Sequence, residues 1–467
     1  MILQALCDYY ERNPDLPRLG FETKAIPFVI ELSPAGQVVQ IEDTRYTEGK
    51  KKISRNFLVP QGVKRASGIA ANLLWDNAEY VLNVTSRGKQ DRVQEQHAAF
   101  KAKLDALADK TDDAGLQAVR TFLEAHDRVR LEADPLWPEI LEANPVMTFR
   151  LNGDRELVCQ RPSVRAVLED VKSDAEEITC LISGEPDGFE RLHTAIKGVW
   201  GAQTSGGNIV SFNKNAFNSF HKEQGANAPV GKRAAFAYTT ALNYLLSKES
   251  TQRIQVGDAS TVFWSENHTD LEDTFADLFD EPPKDDPAKQ TRAIEALFKA
   301  PQTGALSDEG DNTRFYVLGL APNAARISVR FWQVGTVAEM SARIRQHFED
   351  LEIIHASFEK PYLSLFRLLV STATQGKSEN IPPNLAGEFM RAILAGLPYP
   401  QTLLQAAVRR IRAEREIIYP RAALIKACLN RQVRYSPSQE KEITVSLDDS
   451  NTNPGYRIGR LFAVLEK

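Results

Sequence analysis

Phe315-Tyr-Val-Leu-Gly-Leu320, Ala321-Pro-Asn-Ala324 and Arg326-Ile-Ser-Val-Arg-Phe-Trp332 decide the fold class. Two apolar runs rich in β-branched and aromatic residues flank a Pro-Asn turn, the pattern of a strand pair. Downstream the apolar residues change to helical spacing over 336–350, 362–371, 385–394, 401–416 and 420–429. Upstream, both signals alternate. A short helix over 3–12 ends at Asn13-Pro14, and 26–32 and 37–41 flank Ser33-Pro-Ala-Gly36 as a hairpin. Residues 68–75 place Ile69, Leu73 and Leu74 on one helical face, and 94–130 reads as helix broken at Thr111-Asp112-Asp113. Strands return at 146–151, 157–159, 178–182 and 261–264, with a helix at 234–246. The class is α+β: mixed N-terminal and central regions with antiparallel strands, and a helical C-terminal third.

The 467 residues divide into an expected 1–145 region with a basic loop and helices, and a 146–265 region holding a Gly/Asn-rich loop. An acidic linker or insertion at 266–311 follows, then 312–467 with the strand hairpin and helices. A hydrophobic content of 42% with 25% charged residues excludes disordered and fibrous classes. The uncharged stretches 199–213 and 234–247 are too short and polar for a membrane span, which needs about 20 apolar residues. Met1-Ile-Leu-Gln4 runs into Asp8 and Glu11, so no secretory leader is expected. Cys7, Cys159, Cys180 and Cys428 form no CxxC pair; a zinc ribbon and a disulfide scaffold do not fit, and a cytoplasmic location does.

The net charge of -5 conceals segregation of the two signs. Residues 266–286 carry nine acids against Lys284 alone, while 45–65 and 409–434 each carry a surplus of six positive charges. Clustered basic stretches suit a polyanion partner; solvated surface is the alternative.

Catalytic signatures fail one by one. Gly231-Lys232 lacks the upstream glycine of a phosphate-binding P-loop and is followed by Arg233 rather than Ser or Thr. No Gly-x-Ser-x-Gly elbow surrounds Ser205. The seven histidines form no His-x-x-x-His pair, and Pro186-Asp187…Glu190 lacks the Glu-x-Lys of a metal nuclease. Neither a metal, nor a cofactor, nor catalysis is expected.

Binding candidates remain. Lys50, Lys51, Lys52, Lys64 and Arg65 lie in a Gly- and Pro-containing stretch that reads as an exposed loop suited to phosphates, and Asn72 and Asn77 follow where base edges would be met. Thr204, Ser205, Gly206, Gly207, Asn208 and Asn213 form a second loop, read either as a backbone-amide nest or as plain surface. Arg409, Arg410 and Arg412 share helix faces that would track a nucleic-acid backbone or pair with the acidic segment.

Along its length the chain resembles the large subunit of the type I-C CRISPR Cascade surveillance complex. The resemblance runs through Lys64-Arg65 to Trp75-Asp76-Asn77, Gly207-Asn208 to Asn213, Gly225-Ala-Asn227, Val317 to Trp332, Tyr419-Pro-Arg421 and Tyr456 to Glu466. Members of that family continue into a C-terminal helical bundle, absent here beyond Lys467. The resemblance implies a non-catalytic subunit beside the guide RNA that reads the protospacer-adjacent motif in target double-stranded DNA, promotes strand opening and helps recruit the helicase-nuclease. Implied partners are the backbone-filament, handle-processing and small subunits. Minor-groove reading favours Asn and Lys over Arg forks, since that groove shows a degenerate pattern. Two alternatives stay open: a filament cap that binds the guide RNA 5′ handle without reading DNA, and a metal-dependent nuclease.

Overall fold

The computed structural model describes residues 1–49, 51–63, 68–86, 88–125, 128–169, 177–303, 312–436 and 440–466. The chain forms two compact units, residues 15–175 and residues 1–14 with 176–467.

In the first unit, β1 (Phe21–Ala25) pairs antiparallel with β6 (Asn56–Pro60). The expected hairpin is β2 (Phe28–Leu32) with β3 (Val38–Asp43), and Ser33 N–H and Gln37 O close its turn at 2.8 Å. A further hairpin joins β4 (Tyr46–Glu48) to β5 (Lys51–Ile53). β7 (Trp75–Asn77) and β8 (Val146–Leu151) complete a sheet in the order β3-β2-β8-β7. β8 runs parallel to β2, with Phe28 opposite Met147, so 146–151 completes the N-terminal sheet rather than opening a central region. A helix over 68–75 is not formed. Leu74 takes φ 63°, which no right-handed helix admits, Thr148 Oγ1 donates to its carbonyl at 2.9 Å, and the chain continues as β7. The break expected at 111–113 is real: Asp113 Oδ1 accepts from the Gly115 and Leu116 amides at 2.8 and 3.1 Å, capping the helix Ala114–Ala125.

In the second unit, β9 (Glu177–Thr179) pairs with β10 (Pro186–Gly188). The antiparallel sheet β11 (Arg253–Val256), β12 (Ala259–Ser265), β13 (Arg314–Asn323) and β14 (Arg326–Thr336) contains the strand pair read first. Residues 157–159 are not a strand; Val158–Gln160, in the first unit, is a single 3-10 turn. Helices Val337–Leu351, Leu365–Thr372, Pro383–Ala395, Gln401–Glu414 and Tyr419–Tyr435 form the C-terminal third.

The acidic segment is not a free linker. Thr269 caps a helix, Asp270–Phe279, that buries Leu271, Phe275, Leu278 and Phe279 in the core of the unit. Each such side chain contributes about 1.5–3 kcal/mol on burial. Glu272, also buried, accepts from Ser265 Oγ at 2.6 Å and from Arg12 Nη1 at 3.0 Å. Arg12 belongs to the helix Ile2–Arg12, which buries Leu6 and Tyr9; Tyr9 Oη donates to Gln252 Oε1 at 2.6 Å, and Trp264 Nε1 donates to Ala5 O at 3.2 Å. Asp270, Asp273 and Asp277, three of the nine acids of the charge count, lie away from the buried apolar stripe of this helix.

Candidate nucleic-acid interface

In the unit of residues 15–175, described residues that follow β6 and others that lead into β7 line a cleft of about 330 Å³. Lys24 on β1, Gly62, Asn72, Trp75, Asp76 and Asn77 line it. Trp75 Nε1–H donates to Pro60 O at 2.7 Å, which fixes the ring, and the Lys24 ammonium stands 5.2 Å from the ring centroid. A Cβ at Gly62 would lie 3.1 Å from the indole, so a glycine lets the backbone cross it.

The two asparagines expected at base edges meet in this cleft with different duties. Asn72 is 6% exposed; its Oδ1 accepts from Val63 N–H at 3.0 Å and its own amide donates to Asp76 Oδ2 at 2.8 Å. Asp76 Oδ1 in turn accepts from Asn77 N–H at 2.9 Å. Asn72 therefore builds the wall. Asn77 Oδ1 has no hydrogen-bond partner among the described residues. A cation, an aromatic ring and a half-buried amide side chain converge here, the amide oxygen itself buried, and Lys24 is the member that motif reading missed.

The basic stretch that precedes the cleft is less free than its charge suggests. Asp43 Oδ1 and Oδ2 accept from Arg45 at 2.7 and 2.8 Å, Glu139 Oε2 accepts from it at 3.0 Å, and its guanidinium covers the Phe28 ring. That guanidinium holds the Asp43 and Glu139 carboxyls below their usual range. Arg55 faces Glu42 at 4.0 Å. Lys51 and Lys52 lie on β5 opposite Glu48 and Thr47, and Lys52 is exposed. The loop is thus a β-hairpin that presents lysine. Lys50, Lys64 and Arg65 lie outside the described residues.

In the other unit the Gly/Asn loop is tied down at its root. Gly206 N–H donates to Gln203 O at 2.8 Å, Gly207 N–H to Ile196 O at 2.9 Å and Asn208 N–H to Ala325 O at 3.4 Å. Those three amides are committed within the fold. Asn208 Nδ2 donates to His193 O at 3.0 Å, whereas Thr204 and Ser205 are exposed. Asn213 Oδ1 accepts from Arg326 Nη2 at 2.9 Å, and the same guanidinium sits 4.4 Å from the Phe217 ring centroid. The second loop therefore presents Arg326 as well as its own polar residues.

On the helix Gln401–Glu414, Arg409 and Arg412 are exposed, while Arg410 pairs with Glu414 at 3.6 Å. Much of the remaining charge of 409–434 is internal: Arg421 Nε donates to Ser371 O at 2.8 Å, and Asp350 binds Arg431 at 2.7 Å and Arg434 at 2.5 Å.

The groups examined for catalysis have structural duties. Asp187 Oδ2 accepts from Arg233 N–H at 2.8 Å at the start of the helix Lys232–Leu245. His193 and His347 each lie 2.6 Å from a buried tyrosine hydroxyl, of Tyr238 and Tyr399. Burial pushes the Cys159 and Cys428 thiols up to about 12. Among the described residues, no three His, Cys, Asp or Glu side chains group as metal ligands, and no helix is long and apolar enough to cross a membrane.

The unit of residues 15–175 thus carries both a lysine-bearing hairpin and a polar, aromatic cleft. The chain belongs to the family described as CRISPR-associated protein (Cas_Csd1), whose model matches residues 6–467. No curated protein matches it.

Proposed function

We propose that the chain is the large subunit of a type I-C Cascade complex and that it reads the protospacer-adjacent motif in target duplex DNA. The observation that carries this reading is the cleft of the first unit, which Lys24, the fixed Trp75 ring and the half-buried Asn77 side chain line together. Small amide and amine groups suit the shallow code of the minor groove, and the lysines of β5 suit the flanking phosphates. Guide RNA pairing supplies the remaining specificity, so the protein reads only a short element. On this reading it is non-catalytic, works in the cytoplasm in antiviral defence, and binds the guide RNA, the filament, handle-processing and small subunits. It promotes strand opening and helps recruit the helicase-nuclease.

The test is duplex binding by the reconstituted guide-RNA complex, with and without this chain, on targets with an intact or a scrambled adjacent motif. Binding that needs both the chain and the motif supports the reading. If the chain is required but scrambling changes nothing, it is a cap that holds the RNA handle, and the motif-reading role fails.

A further inference from the structure

Between Asn213 and Asn227 the second unit extends an excursion whose tip is Ser219-Phe220-His221-Lys222. Lys222 N–H donates to Ser219 O at 2.9 Å, and Phe220 and His221 both take left-handed backbone, at φ 50° and 58°. This is the two-residue turn that Asn-Gly ordinarily fills, because both central residues need positive φ. A phenylalanine there is a conformational outlier. It is also 92% exposed, so its ring recovers no burial for the strain.

The root of the excursion forces the turn. Asn227 Oδ1 accepts from Ser219 N–H at 2.8 Å, and its Nδ2 donates to Lys222 O and Gln224 O, each at 3.0 Å. Gly225 fits so closely that a Cβ would lie 2.5 Å from Glu190 O. Strain held by a rigid surround and aimed at solvent belongs to sites that act on something else. Lys214 and Lys222 are exposed on the same excursion, Lys222 two residues beyond the ring, and neither has an ion pair among the described residues. Arg326, set by Asn213 and Phe217, stands at the base of the excursion. An exposed ring on an excursion that also carries cations suits the face of an unpaired nucleobase and its phosphate, since every base offers a π-face.

We propose that Phe220 is a stacking platform for an unpaired nucleobase of single-stranded nucleic acid, with Lys214, Lys222 and Arg326 on the adjoining phosphates. This rests on the reading of the chain as a nucleic-acid-binding subunit, and adds to it a second ligand form and the residue that takes it.

The experiment uses the full chain and short single strands carrying 2-aminopurine, in DNA and in RNA. Affinity is read by anisotropy and stacking by fluorescence quenching. Phe220→Ala is expected to weaken binding roughly five- to hundredfold and to abolish the quench, while Phe220→Trp restores both. Phe220→Asn, which suits the turn, is expected to raise the melting temperature yet bind as poorly as Phe220→Ala. Binding confined to one of the two backbones would identify the strand. Wild-type affinity and quench in Phe220→Ala would overturn the proposal, as would equal losses in Phe220→Ala and Phe220→Trp. Its failure is separable from that of motif reading: motif dependence of duplex binding in the assembled complex is scored independently, and either result stands without the other.

Discussion

Asn72 and Asn77 line the same cleft, and substituting each by alanine should separate folding from recognition. Asn72→Ala removes the acceptor that holds Val63 N–H inside the wall. A buried amide left without a partner costs about 1–3 kcal/mol. In a unit of about 160 residues each kcal/mol moves the melting temperature by about 2–4 °C, so the transition should fall by about 2–12 °C. Asn77→Ala deletes an oxygen that has no partner to lose among the described residues, and the melting temperature should stay within about 2 °C. Binding should reverse the order. One hydrogen bond to a base edge contributes about 0.5–1.5 kcal/mol, so Asn77→Ala should weaken motif-bearing duplex roughly two- to tenfold and leave scrambled duplex unchanged. Thermal melts of the chain and duplex titrations of the reconstituted complex measure the two effects. If Asn77→Ala binds both duplexes as wild type does, or if Asn72→Ala melts normally, the division of labour drawn from the hydrogen bonds is wrong.

Lys24→Ala should reduce the slope of log K against log salt for duplex binding by about 1, and Lys50/Lys51/Lys52→Ala by about 3; unchanged slopes would remove these lysines from the phosphate contacts. Asp350→Ala strands Arg431, 2% exposed, as a buried cation, and urea denaturation should show a loss of about 3–5 kcal/mol in the unit that holds it. His347 is pushed well below its usual range by burial, with Arg431 adding to the effect. Its depressed folded value means the unfolded chain takes up a proton near pH 6.5 that the folded chain refuses. The stabilising contribution is therefore complete above that pH and is lost as pH falls, by about 1.4 kcal/mol per unit below it. His347→Gln should flatten the decline between pH 6.5 and 5 in paired urea titrations; an equal decline in both proteins would place the titration elsewhere.

Local patterns were legible in the sequence, and distant pairings were not. The turn signals at Ser33–Gly36 and Ala321–Ala324 announced β2–β3 and β13–β14 because alternation and turn chemistry lie within about a dozen residues, although the second turn forms at Ala324-Ala325 and Ala321, Pro322 and Asn323 pair within β13. Nothing near Phe28 announces that Met147 will lie beside it in parallel. Leu73 and Leu74 matched a helical face, yet pairing of β7 with β8 prevailed over that propensity. The site shows the same divide. Asn72 and Asn77 are legible from the polar residues on either side of Trp75, but Lys24 comes from a strand about 50 residues upstream, and only folding sets it on that ring. Charge counts misled where partners were remote: Arg45 is neutralised by Glu139, and Arg431 and Arg434 by Asp350. Phe220 was invisible because an exposed aromatic and a buried one read alike until the backbone is known.

The helix Ile2–Arg12 docks on side chains that leave the ribosome far behind it, Gln252, Trp264 and Glu272 among them. At roughly 5–20 residues per second, this helix waits on the order of ten to fifty seconds for its seat. Throughout that interval Leu6 and Tyr9 lack the seat that covers them in the folded unit, which makes this helix a natural client for a holding chaperone. The same arrangement makes a substitution in residues 2–12 a perturbation of the unit of residues 176–467 rather than of residues 15–175, its immediate neighbours in sequence.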